Sequence, residues 1–229
     1  MAIVFHTEQS RNVRLITAHE IISHNHKPVL TAGRAFNRAD EQELLTLLMR
    51  GKRTGTGVLP PGLLWHSDAG FAWVIPASTR KMHLCDDQGK HKAVTVRWPS
   101  LVAAVFYGKL HLAAFVPGKD AFAPTEDAPM FHAPLGNIYA NSSVCLGNAK
   151  APTDADLGAI PAWNAIINDS AFTHDNHDRV LPRAKAGRNN AYAFWLKRHG
   201  NKTDLRASEM VPLRATLGTW LQDLENNDA

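Results

Sequence analysis

The sequence predicts an α+β protein, because segments with strand character come first along the chain and most helical segments come later. Short apolar or alternating runs bounded by turn residues recur between residues 2 and 116, as strands require. Helical patterns follow at 160–171, 189–199 and 208–224, and one earlier helix is predicted over 37–51. Because strands and helices do not alternate regularly, we expect antiparallel strands rather than a parallel sheet built from βαβ units.

Composition places the chain among globular proteins. Of its 229 residues, 45% are hydrophobic and 20% are charged, which allows one domain with a full core or a domain plus an extension. No run of about 18 or more apolar residues is present, so no membrane-spanning helix is predicted. The N-terminus lacks the basic-then-apolar pattern of a secretion signal. We therefore expect a cytoplasmic protein with free thiols at Cys85 and Cys145, while a disulfide between them stays open on sequence alone.

The first 36 residues are predicted to form a β-type extension. Their strand-like runs lie at 2–6, 11–18 and 28–36. The next segment has a clear helix start signal, because Asn37 can cap the first turn and Asp40 stands three residues later. The predicted domains are therefore an N-terminal β extension over 1–36 and a larger domain over 37–229.

The larger domain continues with strand patterns and then a long irregular segment. A loop is predicted at 52–62, where Gly and Pro are frequent. Strands are expected in a hairpin around 67–70 and at 92–98 and 110–116. The apolar run at 100–109 fits a buried strand or a helix equally well. Residues 117–136 are rich in Pro, Gly and Ala, and we expect them to be irregular.

The stretch NIYANSSVCLGN, residues 137–148, places one of the two cysteines behind a polar loop. A metal-ligating Cys145 would need Cys or His partners at short spacing, and none lies within ten residues. Redox chemistry favours a Cys-x-x-Cys pair, which is absent. Two interpretations remain: a buried structural cysteine, with Cys85 as a second one, or a lone nucleophile.

The neighbours of Cys145 resemble the active-site flap of ubiquitin-conjugating enzymes. In that flap an asparagine lies eight residues before the cysteine, as Asn137 does here, and a hydrophobe-Cys-Leu tripeptide matches residues 144–146. The His-Pro that precedes the asparagine in that family is replaced by Leu135-Gly136, and His132 stands three residues too early to be its histidine. The longer stretch MFHAPLGNIYANSSVCLGNAKAP, followed by FTHDNH, is similar to the plasmid-associated PRTRC system protein B family of prokaryotic conjugating-enzyme homologues.

This resemblance implies both a fold and a function. The fold is a ubiquitin-conjugating-like core with an N-terminal helix, an antiparallel meander of about four strands, the active-site flap and C-terminal helices, here with an additional N-terminal β extension. The implied function is transfer of a ubiquitin-like protein, carried as a thioester on Cys145 and received from a ThiF-type activating enzyme; no cofactor or metal is expected. A JAB-type peptidase belongs to the same gene systems. Two alternatives stay open: a non-catalytic binding adaptor with this fold, and a basic nucleic-acid-associated accessory protein.

The resemblance also suggests roles for three further residues. Asn137 is a candidate donor to the oxyanion of the tetrahedral intermediate, or else a brace for the flap. Related enzymes keep an acid about thirty residues after the cysteine, where this chain has the loop at 172–178 with His174 and His177. A histidine there suits proton transfer near neutral pH. The same loop could instead cap the next helix, or hold zinc, although so short a loop surrounds an ion poorly.

Basic residues are concentrated near the C-terminus. Residues 179–206 contain eight Lys or Arg and one acid, Asp204. Such a segment can attract phosphates or an acidic protein surface, and it is equally typical of a solvated helical face. No aromatic-interleaved nucleic-acid motif accompanies it, so nucleic acid is not expected as a partner.

Overall fold

The computed structural model describes residues 2–7, 13–24, 27–51, 59–86, 88–118, 121–153, 156–184 and 189–226. It divides the chain into two compact units, Met1–Val58 and Leu59–Ala229. Most of the loop predicted at 52–62 lies outside the described residues.

The first unit is built from short antiparallel strands and one helix. Its elements are β1 (Ala2–Thr7), β2 (Val13–His19), β3 (Ile21–His24), β4 (Lys27–Leu30), β5 (Arg34–Ala35) and α1 (Arg38–Gly51). Strands β1, β2 and β5 form a sheet in that order, and β3 and β4 form a separate hairpin. The predicted β character of the segment is therefore present, but the run expected at 28–36 is divided between two strands.

Helix α1 begins where its capping signal predicts. The Asn37 side-chain oxygen accepts the backbone N–H groups of Ala39 (2.8 Å) and Asp40 (3.2 Å), and the Asp40 carboxylate accepts the Asn37 N–H (2.9 Å). Arg34, at the end of β5, binds that carboxylate at 2.6 Å and holds the pKa of Asp40 below its usual value. These bonds tie α1 to the strands before it, so α1 groups with the first unit, whereas the predicted boundary lies after residue 36. The predicted domain division stays a prediction.

The second unit contains two sheets. Its strands are β6 (Leu63–His66), β7 (Gly70–Ile75), β8 (Thr79–Cys85), β9 (His91–Arg97), β10 (Ser100–Phe106), β11 (Lys109–Phe115), β12 (Pro129–His132), β13 (Ala171–Phe172) and β14 (Pro212–Thr216). The main sheet has six strands in the order β14-β12-β11-β10-β7-β6, all antiparallel. The second sheet has the order β13-β8-β9, in which the two-residue β13 runs parallel to β8.

The order of the main sheet differs from a plain meander of about four strands. The hairpin β8–β9 leaves the main sheet, so β7 pairs with β10, which follows the hairpin. Every residue of β10 is buried, which explains why its run lacks alternation and was ambiguous between strand and helix. Strands β8 and β9 alternate between buried and exposed residues instead, as a sheet with one solvated face does. The α+β class is confirmed, whereas the specific ubiquitin-conjugating-like core arrangement stays a prediction.

Three helices complete the second unit: α2 (Ile160–Asp169), α3 (Asn190–Lys197) and α4 (Leu217–Asn226). The first two agree with the predicted helices, with slightly shorter bounds. The helix predicted over 208–224 is wrong at its start, because Pro212 begins β14 and α4 begins only after Thr216, whose hydroxyl accepts the Thr219 N–H (3.3 Å). The expectation of an irregular segment at 117–136 is likewise wrong in part, because β12 lies within it and pairs with β14.

The main sheet contributes to two hydrophobic clusters. The larger contains residues of both sheets, α2 and α3, including four fully buried tryptophans: Trp73, Trp98, Trp163 and Trp195. In the smaller cluster, α4 packs Leu217, Trp220 and Leu221 against residues of alternate parity on the same central strands. The main sheet is therefore covered on both faces. Within the described ranges, no helix is both long and apolar enough to cross a membrane.

Candidate functional site: the cysteine flap and its cleft

The cysteine lies on a flap that follows β12 and is fixed to the main sheet. The Val144 N–H donates to the Leu110 carbonyl (2.8 Å), and the Leu112 N–H donates to the Ser142 carbonyl (2.9 Å), both along β11. A turn precedes this pairing, in which the Ser142 N–H donates to the Tyr139 carbonyl (2.9 Å). Because β11 is a buried strand, the flap is held on a firm base immediately before Cys145.

Cys145 is half-buried and faces a cleft of about 600 Å³. The cleft is lined by the flap at 145–149, by the last turns of α2 and by residues 170–174. Both cysteines are free; Cys85 is buried at the end of β8, as expected for a structural residue. No group of metal-ligating side chains large enough to hold an ion occurs in the part of the chain that the structure describes. An accessible lone thiol in a cleft favours the nucleophile over the core cysteine.

Tyr139 is a partner of this thiol that sequence reasoning did not single out. The Cys145 side chain lies near the Tyr139 hydroxyl and raises the pKa of that phenol, first through hydrogen bonding and second through charge. A phenol that stays protonated can donate to the sulfur, and donation to the charged form of a group favours that form. Tyr139 is therefore suited to stabilise a thiolate. Its position two residues after Asn137, before a turn that leads back to the cysteine, is the sequence signal that could have found it.

Asn137 joins the flap to the segment that follows α2. Its side-chain amide donates to the Ala171 carbonyl (2.8 Å), and its side-chain oxygen accepts the Thr173 N–H (3.0 Å) and the Thr173 hydroxyl (2.8 Å). Its backbone carbonyl accepts the Cys145 N–H (2.7 Å). The residue has φ +61°, a left-handed conformation that asparagine tolerates better than most residues. This geometry favours the bracing role, in which Asn137 positions the cysteine through the backbone.

His174 reaches the cleft, and its hydrogen bonds fix its neutral tautomer. The Thr173 hydroxyl uses its one hydrogen to donate to Asn137. The 2.6 Å contact between that hydroxyl oxygen and His174 Nδ1 therefore requires Nδ1 to donate. In the neutral ring, Nε2 is then the atom that can accept a proton. His174 is exposed and lines the same cleft as Cys145, while its role in proton transfer stays a prediction.

His177 does not line this cleft. It is half-buried and packs on His132 with ring centroids 5.0 Å apart, and its Nδ1 accepts the Arg179 N–H (3.0 Å). The intervening Asp175 caps α3, since its carboxylate accepts the Asn190 N–H (2.6 Å) and fixes the loop in this direction. The expectation that His177 stands beside the cysteine is therefore corrected, while the capping interpretation of the loop holds for Asp175.

Gly136 occupies the position at which conjugating enzymes have proline. A Cβ atom there would lie 3.0 Å from the His174 carbonyl oxygen and 3.3 Å from the Phe172 Cβ. The same carbonyl oxygen accepts the Asn137 N–H at 2.8 Å. The absence of a side chain at Gly136 thus lets the 172–174 segment approach the flap closely.

The buried His132, which packs on the half-buried His177, makes the dependence of stability on acid pH testable. Burial, with smaller contributions from the charges of His177 and Arg179, lowers the pKa of His132 to about 4. The unfolded chain binds that proton near pH 6.5, so stability is full above about pH 6.5 and falls as the pH drops toward 4. We expect His132 to account for about 1–2 kcal/mol of this loss after solvent screening. Urea unfolding at pH 7.5 and 4.5 should show a smaller pH effect in His132→Gln than in the exposed control His66→Gln; equal effects would contradict the assignment.

The basic segment at 179–206 is partly engaged within the fold. Arg198 donates to Glu209 (2.7 Å) and to the Thr203 carbonyl (2.9 Å), and Asp204 pairs with Arg97 (2.7 Å). Lys185 and Arg188 lie outside the described residues. Lys197, Lys202 and Arg206 are exposed, as on a solvated face.

An α+β chain whose cysteine flap is braced by an upstream asparagine is compatible with the ubiquitin-conjugating-like class of proteins. Comparison with protein families supports this class directly, because the family model of prokaryotic E2 family D matches residues 40–212. The chain belongs to that family. The resemblance to prokaryotic conjugating-enzyme homologues is thereby confirmed. No curated protein and no solved structure matched the chain.

Proposed function

We propose that the protein is a ubiquitin-conjugating-like carrier that accepts a ubiquitin-like protein as a thioester on Cys145. The observation that carries the proposal is the free, half-buried thiol at a cleft, on the flap of a chain from prokaryotic E2 family D. By resemblance to the PRTRC system protein B family, the donor is a ThiF-type activating enzyme. A JAB-type peptidase of the same system is a further candidate partner.

Loading exchanges one thioester for another. The Cys145 thiolate attacks the carbonyl carbon that joins the ubiquitin-like C-terminus to the cysteine of the activating enzyme, the new C–S bond forms, and the old one breaks as that cysteine leaves as a thiolate. The Tyr139 hydroxyl supports this step by donating to the Cys145 sulfur, which favours the attacking thiolate.

Discharge passes the acyl group to an acceptor. When the acceptor is an amine, its nitrogen attacks the thioester carbonyl, loses a proton, and expels Cys145 as a thiolate. His174 lines the cleft and has Nε2 as the accepting atom of its neutral ring, so we assign it the base role. Asn137 acts in this scheme by keeping the flap and the 171–173 segment together.

Reconstitution tests the proposal. The full chain is mixed with the candidate activating enzyme, its ubiquitin-like protein and ATP, and the products are separated with and without reductant. We expect an adduct with one ubiquitin-like protein that disappears on reduction. Stable binding of the same partners without any adduct, while iodoacetamide still alkylates Cys145, would favour the non-catalytic adaptor instead.

His174→Asn is expected to slow discharge to an amine by about 10²-fold, the scale of one general base. It should also flatten the pH dependence of discharge, because the proposed base is lost. Single-turnover discharge of the loaded chain measures both. Asn retains a side-chain donor for the Thr173 hydroxyl, and His177→Asn serves as the control because His177 lies away from the cleft. If the pH profile of discharge is unchanged in His174→Asn, the loop at 172–178 has only a structural role.

A further inference from the structure

A second cavity, also lined in part by the flap, shares no lining residue with the cysteine cleft. Its volume is about 330 Å³. Four parts of the second unit meet there: the flap turn at 140–142, the strands β11, β12 and β14, the loop before α3, and α4. The polar side chains that line it are His111, His132, Asn141, Ser142, Arg179 and Asp223, together with Trp220.

Three of these side chains are more than nine-tenths buried. His132 is 4% exposed, Ser142 2% and Trp220 4%. The Trp220 indole N–H is buried and has no hydrogen-bond partner among the described residues. Buried polar groups are normally hydrogen-bonded, so an unpartnered indole N–H beside the His132 and Ser142 side chains points to an occupant that bonds it.

The charges around the cavity indicate the sign of that occupant. Arg179, which is exposed, contributes a positive charge that helps to lower the pKa of the His132 ring. Asp223 on α4 is the one acid in the lining, and it is exposed. With the indole N–H, the hydroxyl and the imidazole available as donors, the interior is suited to negative charge.

We propose that this cavity binds a small oxyanion, either a phosphate-like or a carboxylate group, through His132, Ser142 and Arg179. A guanidinium and several neutral donors are the groups that recognise such oxygens. The described residues offer no metal-holding group here or elsewhere. Because the flap turn at 140–142 lines the cavity, and Ser142 stands three residues before Cys145, an occupant would also contact the flap.

Binding can be measured on the full chain without any conjugation partner. Sodium sulfate, sodium phosphate and sodium acetate are titrated separately against sodium chloride at equal ionic strength, followed by the melting temperature and by calorimetry. We expect saturable binding of sulfate or phosphate at millimolar concentration and none of chloride. If acetate binds as tightly as phosphate, the ligand is carboxylate-like; if it does not, the ligand is phosphate-like.

Two variants assign the site. Arg179→Gln, at an exposed position, should weaken binding by about tenfold or more, as loss of one charge-assisted hydrogen bond does. Arg183→Gln is the matched control, since it removes an exposed arginine from the same loop that does not line the cavity. Equal weakening by both variants, or no saturable binding by the wild type, would overturn the proposal and leave a water-filled cavity.

The pH dependence of sulfate binding distinguishes binding in this cavity from nonspecific attraction by surface charge. An anion beside His132 opposes the lowering of its pKa, so sulfate binding should strengthen as the pH falls from 7.5 to 5.5 while the charge of sulfate stays constant. The groups that face this ring are His177 and Arg179 from the loop, His111 from β11 and Asp223 from α4. In an NMR titration, the His132 resonance should shift to a higher pKa with sulfate. A His132 titration that is unchanged at saturating sulfate would place the ion elsewhere.

Discussion

Cys145→Ala is expected to abolish the thioester adduct completely, because it removes the only atom in the proposed mechanism that can carry the acyl group. Cys145→Ser should give a reductant-resistant oxyester or no adduct, since the hydroxyl is a far weaker nucleophile at neutral pH. The measurement is gel separation of the loading reaction with and without reductant, using equal amounts of folded protein.

Cys85→Ser is the matched control for this experiment. Cys85 is buried at the end of β8 and makes only long sulfur contacts, 3.7 Å to the Asp86 carbonyl oxygen and 3.9 Å to His91 Nε2. The variant should load at the wild-type level after correction for any unfolded fraction. If Cys145→Ala still loads and Cys85→Ser does not, the assignment of the acceptor thiol is wrong.

Asn137→Ala is expected to lower the free energy of unfolding by about 2–4 kcal/mol. It removes three side-chain hydrogen bonds, worth about 1 kcal/mol each, and places alanine at φ +61°, which costs about another 1 kcal/mol. Because the same side chain holds the flap to 171–173, discharge of the thioester should fall with it. Urea unfolding and single-turnover discharge at a temperature where the variant is folded measure the two effects.

Two further variants separate bracing from a role in the chemical step. Asn137→Gly removes the same hydrogen bonds, but glycine adopts a positive φ without steric strain. It should therefore be less destabilising than Asn137→Ala. Asn141→Ala is the control on the same flap, where the side chain bonds only to the neighbouring Ser143, and its effect should stay under about 1 kcal/mol. A discharge defect of ~10²-fold or more in Asn137→Ala without loss of stability would show that the amide acts on the oxyanion.

Local signals in the sequence predicted local structure well. The Asn37 and Asp40 pair set the start of α1, and the turn at 67–70 set the hairpin of β6 and β7. The departure of β8 and β9 from the main sheet could not be predicted, because strand neighbours are chosen by packing between segments far apart in sequence. The same is true of β14: Pro212 lies in a helix-like apolar pattern and becomes a strand only because β12 offers a partner.

The site was predictable in position but not in orientation. The eight-residue spacing from Asn137 to Cys145 located the flap, and chain distance brought a histidine loop to it. Distance along the chain cannot say which of His174 and His177 turns toward the thiol. That choice follows from Asp175, whose capping of α3 turns the chain between the two histidines. The proximity of the Tyr139 hydroxyl to the Cys145 sulfur could be recognised only in the structure, where the turn brings the two residues together.

The bonds from Asn137 to the 171–174 segment also set an order of assembly on the ribosome. The flap is synthesised before the segment that braces it, and β12, which leads into the flap, pairs with β14, which is made later still. A nascent chain that has exposed Cys145 but not yet residue 216 therefore lacks at least one of these supports. We expect Cys145 to reach its folded environment only after residue 216 has left the exit tunnel, so a chain terminated before that point should not be loaded. Pulse alkylation of stalled nascent chains of increasing length measures the reactivity of Cys145. We expect that reactivity to reach its final value only in chains long enough to expose residue 216.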